Sequence, residues 1–164
     1  ILLLVAGHET TTNLVASGLL ALFQNPDQME LLRRRPDLLP LAADELLRYT
    51  SPVQRTARVV QQDTEFRGQE MKQGQFILTF LAAANRDPEV FDRPQELDIT
   101  RKHNPHMGFG RGIHFCLGAP LAKIEAQIAF GVLLERLPKL KLAGAPVWNP
   151  NTVIRGLSSL PVTF

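Results

Sequence analysis

The least regular stretch of this 164-residue chain, residues 92 to 115, runs straight into its only cysteine. It carries Pro94 and Pro105 and shows almost no helical or strand periodicity. It ends in Phe109-Gly110-Arg111-Gly112-Ile113-His114-Phe115-Cys116-Leu117-Gly118. A structureless stretch of that length in a compact protein is uncommon and usually functional. Two glycines ahead of the thiol let the backbone turn sharply and approach a flat ligand closely. Pro120 then opens a helix with apolar positions Leu121, Ile124, Ile128 and Val132, lasting to about Leu137. The thiol thus precedes a helix start, whose unpaired N–H groups and positive dipole end favour a thiolate. A lone cysteine is more often a buried core thiol. A core thiol, however, has no reason to follow a Gly-rich loop that bears Arg and His.

Elsewhere the pattern is mixed. Residues 1 to 23 read as a buried helix on Leu4, Leu14, Gly18 and Leu22, although Gly7-His8-Glu9-Thr10-Thr11-Thr12 in its middle has poor helix propensity. Asn25-Pro26-Asp27-Gln28 predicts a helix start with an Asn cap and a capping-box Gln, the helix running through Arg34. Another helix spans about Leu38 to Tyr49 and stops at Ser51-Pro52. Residues 56–60, 64–66 and 75–80 look like strands, with turns at Gly68 and Gly74, and the tail from Val153 is short strand and turn. The fold class expected is mainly α with small β-sheets (α+β).

Composition narrows the function. At 45% hydrophobic and 21% charged residues the chain is ordinary globular protein, which excludes disorder and coiled-coil rod. A formal net charge of +2 gives no reason to propose nucleic acid or an anionic membrane as partner. One cysteine rules out an intramolecular disulfide framework, so a reducing, cytoplasmic setting is expected. The apolar run Ile1 to Gly7 is too short to span a bilayer, so this segment carries no membrane anchor. The sequence opens without Met inside that run, and residues 1–164 read as one part of a larger single domain.

The cysteine loop closely resembles the haem-binding signature of cytochrome P-450 monooxygenases, and the resemblance covers the whole chain in order. Ala6-Gly7-His8-Glu9-Thr10-Thr11 is similar to the family's distal-helix oxygen-activation motif. Glu45-Leu46-Leu47-Arg48 resembles its Glu-x-x-Arg element, and Ala84-Asn85-Arg86-Asp87-Pro88 is typical of bacterial soluble members. The resemblance implies the C-terminal part of that fold, from the distal helix onward, with the N-terminal part that roofs the substrate pocket absent.

The resemblance also implies roles. Cys116 is the axial thiolate of haem b, and Phe109 packs beside its sulfur. Gly110, Gly118 and Ala6 line the cofactor, while Arg58 and His114 hold its propionates. Thr10 and Glu9 are the catalytic pair, Thr10 steering protons and Glu9 helping to supply them. Of the three threonines, spacing from Gly7 favours Thr10. Glu45 and Arg48 are a buried structural pair. The family's usual third partner, an Arg, is replaced here by Glu96, so either Arg101 or His106 takes that place.

The activity implied is a haem-dependent monooxygenase acting on a small hydrophobic organic substrate and dioxygen. No flavin or nicotinamide motif is present, so a separate ferredoxin- or flavodoxin-like protein supplies electrons, with Arg111 and Lys123 as docking candidates. Two rivals stand beside this reading. A peroxide-using haem enzyme shares the chemistry, but Glu9-Thr10 favours dioxygen; a haem-free fragment acting only as a partner is the other, and bound haem separates it at once.

Overall fold

A computed structural model of the chain describes residues 2–164, with side chains from Leu4 onward; Ile1, at the start of the first expected helix, lies outside the described residues. Five α-helices and four two-stranded antiparallel ladders make up the described part. Helix α1 (Leu2–Gln24) is followed by α2 (Pro26–Arg34), a 3-10 turn at Pro36–Leu38 and α3 (Leu39–Thr50). Strand β1 (Arg55–Val59) pairs with β4 (Phe76–Phe80), and the intervening β2 (Thr64–Phe66) and β3 (Gln69–Met71) form their own hairpin. After the short α4 (Leu81–Ala84), no helix or strand intervenes until the 3-10 turn Gly112–His114 and α5 (Ala119–Arg136). The last strands, β5 (Lys141–Leu142) with β8 (Val162–Thr163) and β6 (Val147–Trp148) with β7 (Leu157–Ser159), complete a mainly helical α+β fold.

The core is where α1, α2, α3 and α5 meet. Leu14, Ala21 and Leu22 of α1 pack with Met29 and Leu32 of α2, Leu46 and Leu47 of α3, and Ala126, Phe130 and Leu134 of α5. Leu97 and Ile99, from the irregular stretch, join the same cluster and tie that stretch to the helices. Gly18 lets α1 and α5 approach: a Cβ there would lie 2.6 Å from Phe130 Cζ. The tail returns to the segment after α3, where Val53 bridges Ile154 and the Arg155 N–H donates to the Pro52 carbonyl at 2.7 Å.

Three local expectations are corrected. Leu121, Ile124, Ile128 and Val132 of α5 are exposed, and its core face is instead Ala119, Ala126, Phe130 and Leu134. The helix is apolar on two faces, so periodicity alone could not choose between them. Leu4 is likewise exposed, because residues 4–9 of α1 project beyond the bundle. Asn25 makes no side-chain cap for α2; its Nδ2 donates backward to the Ala21 carbonyl at 2.8 Å, closing the end of α1. Gln28 accordingly forms no capping box, and its Oε1 accepts the Ile99 N–H at 3.1 Å.

Candidate active site

Cys116 ends a turn that only glycine builds without strain. Gly110 and Gly112 have φ of +68° and +73°, a region L side chains rarely adopt. The Cys116 N–H donates to the Phe109 carbonyl at 3.0 Å, and the Cys116 carbonyl accepts the Ala119 N–H at 3.3 Å as α5 begins. The thiol is therefore pinned between a glycine turn and the first turn of a helix with Gly118 as its N-cap. Its sulfur lies close to Gly118, where a Cβ would stand 3.9 Å from Sγ. Among the described residues, the N–H groups of Leu117 and Gly118 donate to no carbonyl.

Every residue from Arg111 to Gly118 is exposed, including Ile113 at 98% and Leu117 at 89%. The thiol itself is free and exposed. Apolar side chains so placed around an exposed sulfur form an apron that a flat apolar ligand would cover. His114 lies in the same exposed run, while Arg58 is on β1, its Nη1 donating to the Ala57 carbonyl at 2.8 Å. Neither has an acidic partner among the described residues, so both remain available to carboxylates. No contact joins them to each other. Among the described residues there is no cluster of His, Cys, Asp and Glu able to hold a metal without a cofactor.

Helix α1 runs unbroken past the polar segment in spite of its poor helix propensity. The Thr10 hydroxyl does donate to the Ala6 carbonyl at 2.8 Å, and Thr12 does the same to His8 at 2.8 Å. Thr11 instead faces the groove against α5, with Glu125 and Ala129. Glu9 is exposed and has no partner among the described residues. Since α1 packs on α5, the helix carrying Thr10 and the loop carrying Cys116 belong to one packed unit.

Glu45 and Arg48 are both 0% exposed and form a bidentate pair, Nε to Oε2 and Nη2 to Oε1, each at 2.8 Å. Arg48 uses all five of its donors: Nη1 also reaches the carbonyls of Asn85 and Pro94 at 2.8 Å, and Nη2 that of Glu96 at 2.9 Å. Of the two alternatives for third partner, Arg101 takes the place, its Nε 3.1 Å from Glu45 Oε2. His106 turns to Asp44 instead. Asn104 Nδ2 and the Asp98 N–H complete the carboxylate's set at 3.1 and 3.0 Å.

Sequence reasoning missed these two, and it assigned no task to Asn85. That residue is fully buried, donates to Ser51 Oγ at 2.9 Å and accepts the Met107 N–H at 2.6 Å. It thereby fixes the start of the cysteine loop. An amide within the turn chemistry Asn85-Arg86-Asp87-Pro88 was the available signal. Lys123, a docking candidate on sequence, is already paired with Asp44 at 2.8 Å.

The cytochrome P-450 profile matches residues 1–152, far more than half of the chain. The chain belongs to the cytochrome P-450 family. It is 50% identical to the biotin biosynthesis cytochrome P-450 of Bacillus subtilis, the alignment covering 100% of this chain and 42% of that protein. PikC, a cytochrome P-450 monooxygenase of Streptomyces venezuelae, is 48% identical over 99% of this chain and 40% of its own length. Among solved structures, P-450 BioI in complex with an acyl carrier protein ligated to hexadec-9Z-enoic acid superposes with a TM-score of 0.97 at 50% identity, over 99% of this chain and 43% of that one. The chain thus spans about two fifths of the length of the P-450 proteins it matches. Members of the family carry haem b on a cysteine thiolate. No helix among the described residues is long and apolar enough to cross a membrane.

Proposed function

We propose that this chain supplies the haem-ligating and proton-handling half of a monooxygenase. The observation that carries the reading is the exposed Cys116 thiol within an exposed apolar apron, at the junction of a two-glycine turn and α5. Haem b fits there. Cys116 would ligate it, Ile113, Phe115 and Leu117 would lie against or around it, and Arg58 and His114 would take its carboxylates. Gly110, Gly118 and Ala6 would let its surfaces approach the backbone. When bound, the haem supplies the oxygen chemistry, to which a thiolate ligand contributes electron density.

The chain's own residues do the rest. The N–H groups of Leu117 and Gly118, which donate to no carbonyl, stand next in the chain to Cys116 and would stabilise a negative charge on its sulfur, while the start of α5 adds its positive dipole end. Phe109 shields the turn behind Cys116. Thr10 has committed its own proton to the Ala6 carbonyl, so its oxygen is left as an acceptor that would hold a water in donor orientation. Glu9, exposed one residue earlier, would resupply protons from solvent. The net reaction inserts one oxygen atom of dioxygen into a substrate C–H bond; two electrons and two protons take the other atom to water.

The substrate is a small hydrophobic molecule. Val5 and Ala6, Val53 to Thr56, and Leu157 to Leu160 are its walls in this chain, and the Val53–Ile154 bridge ties the second of these segments to the tail. Electrons come from a ferredoxin- or flavodoxin-like protein in the cytoplasm. With Lys123 paired, Arg111, exposed beside the cysteine loop, is the better cation for that partner. Cys116→Ser in the complete haem-loaded enzyme tests the reading. It should abolish the red-shifted Soret band of the ferrous CO complex, and an unchanged band would remove the proposal.

A further inference from the structure

Asp44 stands next to Glu45 in α3 but serves a different set of groups. Lys123, in the second turn of α5, places Nζ 2.8 Å from Asp44 Oδ1 and 3.0 Å from Oδ2, with a well-directed hydrogen bond to Oδ2 alone. Oδ1 is buried and accepts no hydrogen bond; His106 Nε2 stands 3.5 Å from it. The His106 side chain is only 7% exposed. Its Nδ1 accepts the Gly108 N–H at 3.1 Å, which leaves the ring proton on Nε2, on the Asp44 side. Burial of Asp44 raises its pKa, but the neighbouring His106 and Lys123 outweigh it and hold the carboxyl below its ordinary value. Asp44 is therefore an anion at neutral pH, gathering one cation from α5 and one imidazole from the irregular stretch.

Both partners also lie against Phe109. The His106 and Phe109 ring centroids are 5.8 Å apart, and Lys123 Nζ is 5.9 Å from the Phe109 centroid. Phe109 then packs edge-on to Phe115 at 6.2 Å, and its carbonyl accepts the Cys116 N–H at 3.0 Å. A surface ion pair would be bland and worth little. This one joins residues 44, 106 and 123 and ends on the peptide that orients the thiol.

We propose that Asp44 is a positioning residue for the cysteine loop: by holding His106 and Lys123 together it fixes Phe109 and, through the Phe109 carbonyl, the attitude of Cys116. The proposal rests on the reading of Cys116 as the haem ligand. None of the three polar residues touches the sulfur, so the effect is on how firmly the thiolate is held.

The test is Asp44→Asn in the complete haem-loaded enzyme, which keeps the size and removes the charge. Two readouts matter: the haem reduction potential, and the rate at which the red-shifted ferrous CO band converts to the blue-shifted one under mild perturbation. Haem content and far-UV circular dichroism report folding separately. With both unchanged, conversion should be about tenfold faster, as for other loss of support behind a metal ligand, and Asp44→Glu should restore most of it. Lys123→Met should act in the same direction, and the double variant should be no worse than Asp44→Asn alone, because one bridge is broken in each. Should Asp44→Asn fail to fold, Lys123→Met against His106→Gln makes the same comparison. Unchanged rate and potential, or effects that simply add, would overturn the proposal. A parent enzyme with no red-shifted band would instead overturn the ligand assignment on which it rests.

Discussion

A guanidinium with all five donors used has no conservative replacement. Arg48 meets Glu45 bidentately and three backbone carbonyls besides. A lysine offers three donors on a point charge and would leave at least two of those five hydrogen bonds unmade in a dry site. Arg48→Lys should therefore cost about 3–5 kcal/mol, close to Arg48→Ala, because each leaves buried Glu45 poorly compensated. Denaturation midpoints and haem content of the two variants check this. Thr10 makes the opposite kind of prediction. Its hydroxyl is bonded to a carbonyl of its own helix, so Thr10→Ala removes no tertiary contact and exchanges a poor helix former for a good one. Stability and haem content should hold, while product per electron pair falls on the order of ten- to a hundredfold, with hydrogen peroxide making up the difference. Thr11→Ala, turned toward α5, should stay coupled.

The helices were legible to within a residue or two where caps and prolines punctuate them: α2 at Pro26–Arg34, α3 at Leu39–Thr50, α5 at Ala119–Arg136. Three strands were legible from β-branched and aromatic runs, but Gln69-Glu70-Met71 carries no such run and was missed, as were the two-residue strands Lys141–Leu142 and Val147–Trp148. What failed was the choice of face on α5, since Leu121, Ile124, Ile128 and Val132 are as apolar as the buried set. The cysteine loop was legible because its glycines and thiol are local. The choice between Arg101 and His106 as partner of Glu45 was not, nor was the Asn104 contact, because residues more than fifty positions apart meet only through the folded irregular stretch. The element contact most open to test is α1 on α5 at Gly18. Gly18→Ala would set a methyl 2.6 Å from Phe130 Cζ, overpacking a close crossing. It should destabilise by about 1–3 kcal/mol, despite alanine's better helix propensity, with Phe130→Leu relieving part of the loss. Thermal denaturation of the two variants and their double reads the coupling.

At the scale of the whole molecule, apolar surface is left open on two sides besides the apron around Cys116. The outer face of α5 is one; Val59, Phe76, Leu78 and Phe80 of the β1–β4 ladder are the other. Faces like these suit the interior of a larger body, in keeping with a chain that spans two fifths of its relatives. The 164 residues alone should bind a hydrophobic dye and self-associate at micromolar concentration, which light scattering measures directly. Within the unit, however, the long segment from Asn85 to Met107 is not loose, although it holds no helix or strand. Arg48 grips its carbonyls at residues 85, 94 and 96, and Glu45 and Asn85 hold it at 98, 101, 104 and 107. Opening any part of it uncovers the same buried ion pair, so partial opening costs nearly as much as complete opening. Its amides should therefore exchange with solvent deuterium in a single concerted event, at the slow rate of α3, rather than at the loop-by-loop rates its irregular backbone suggests.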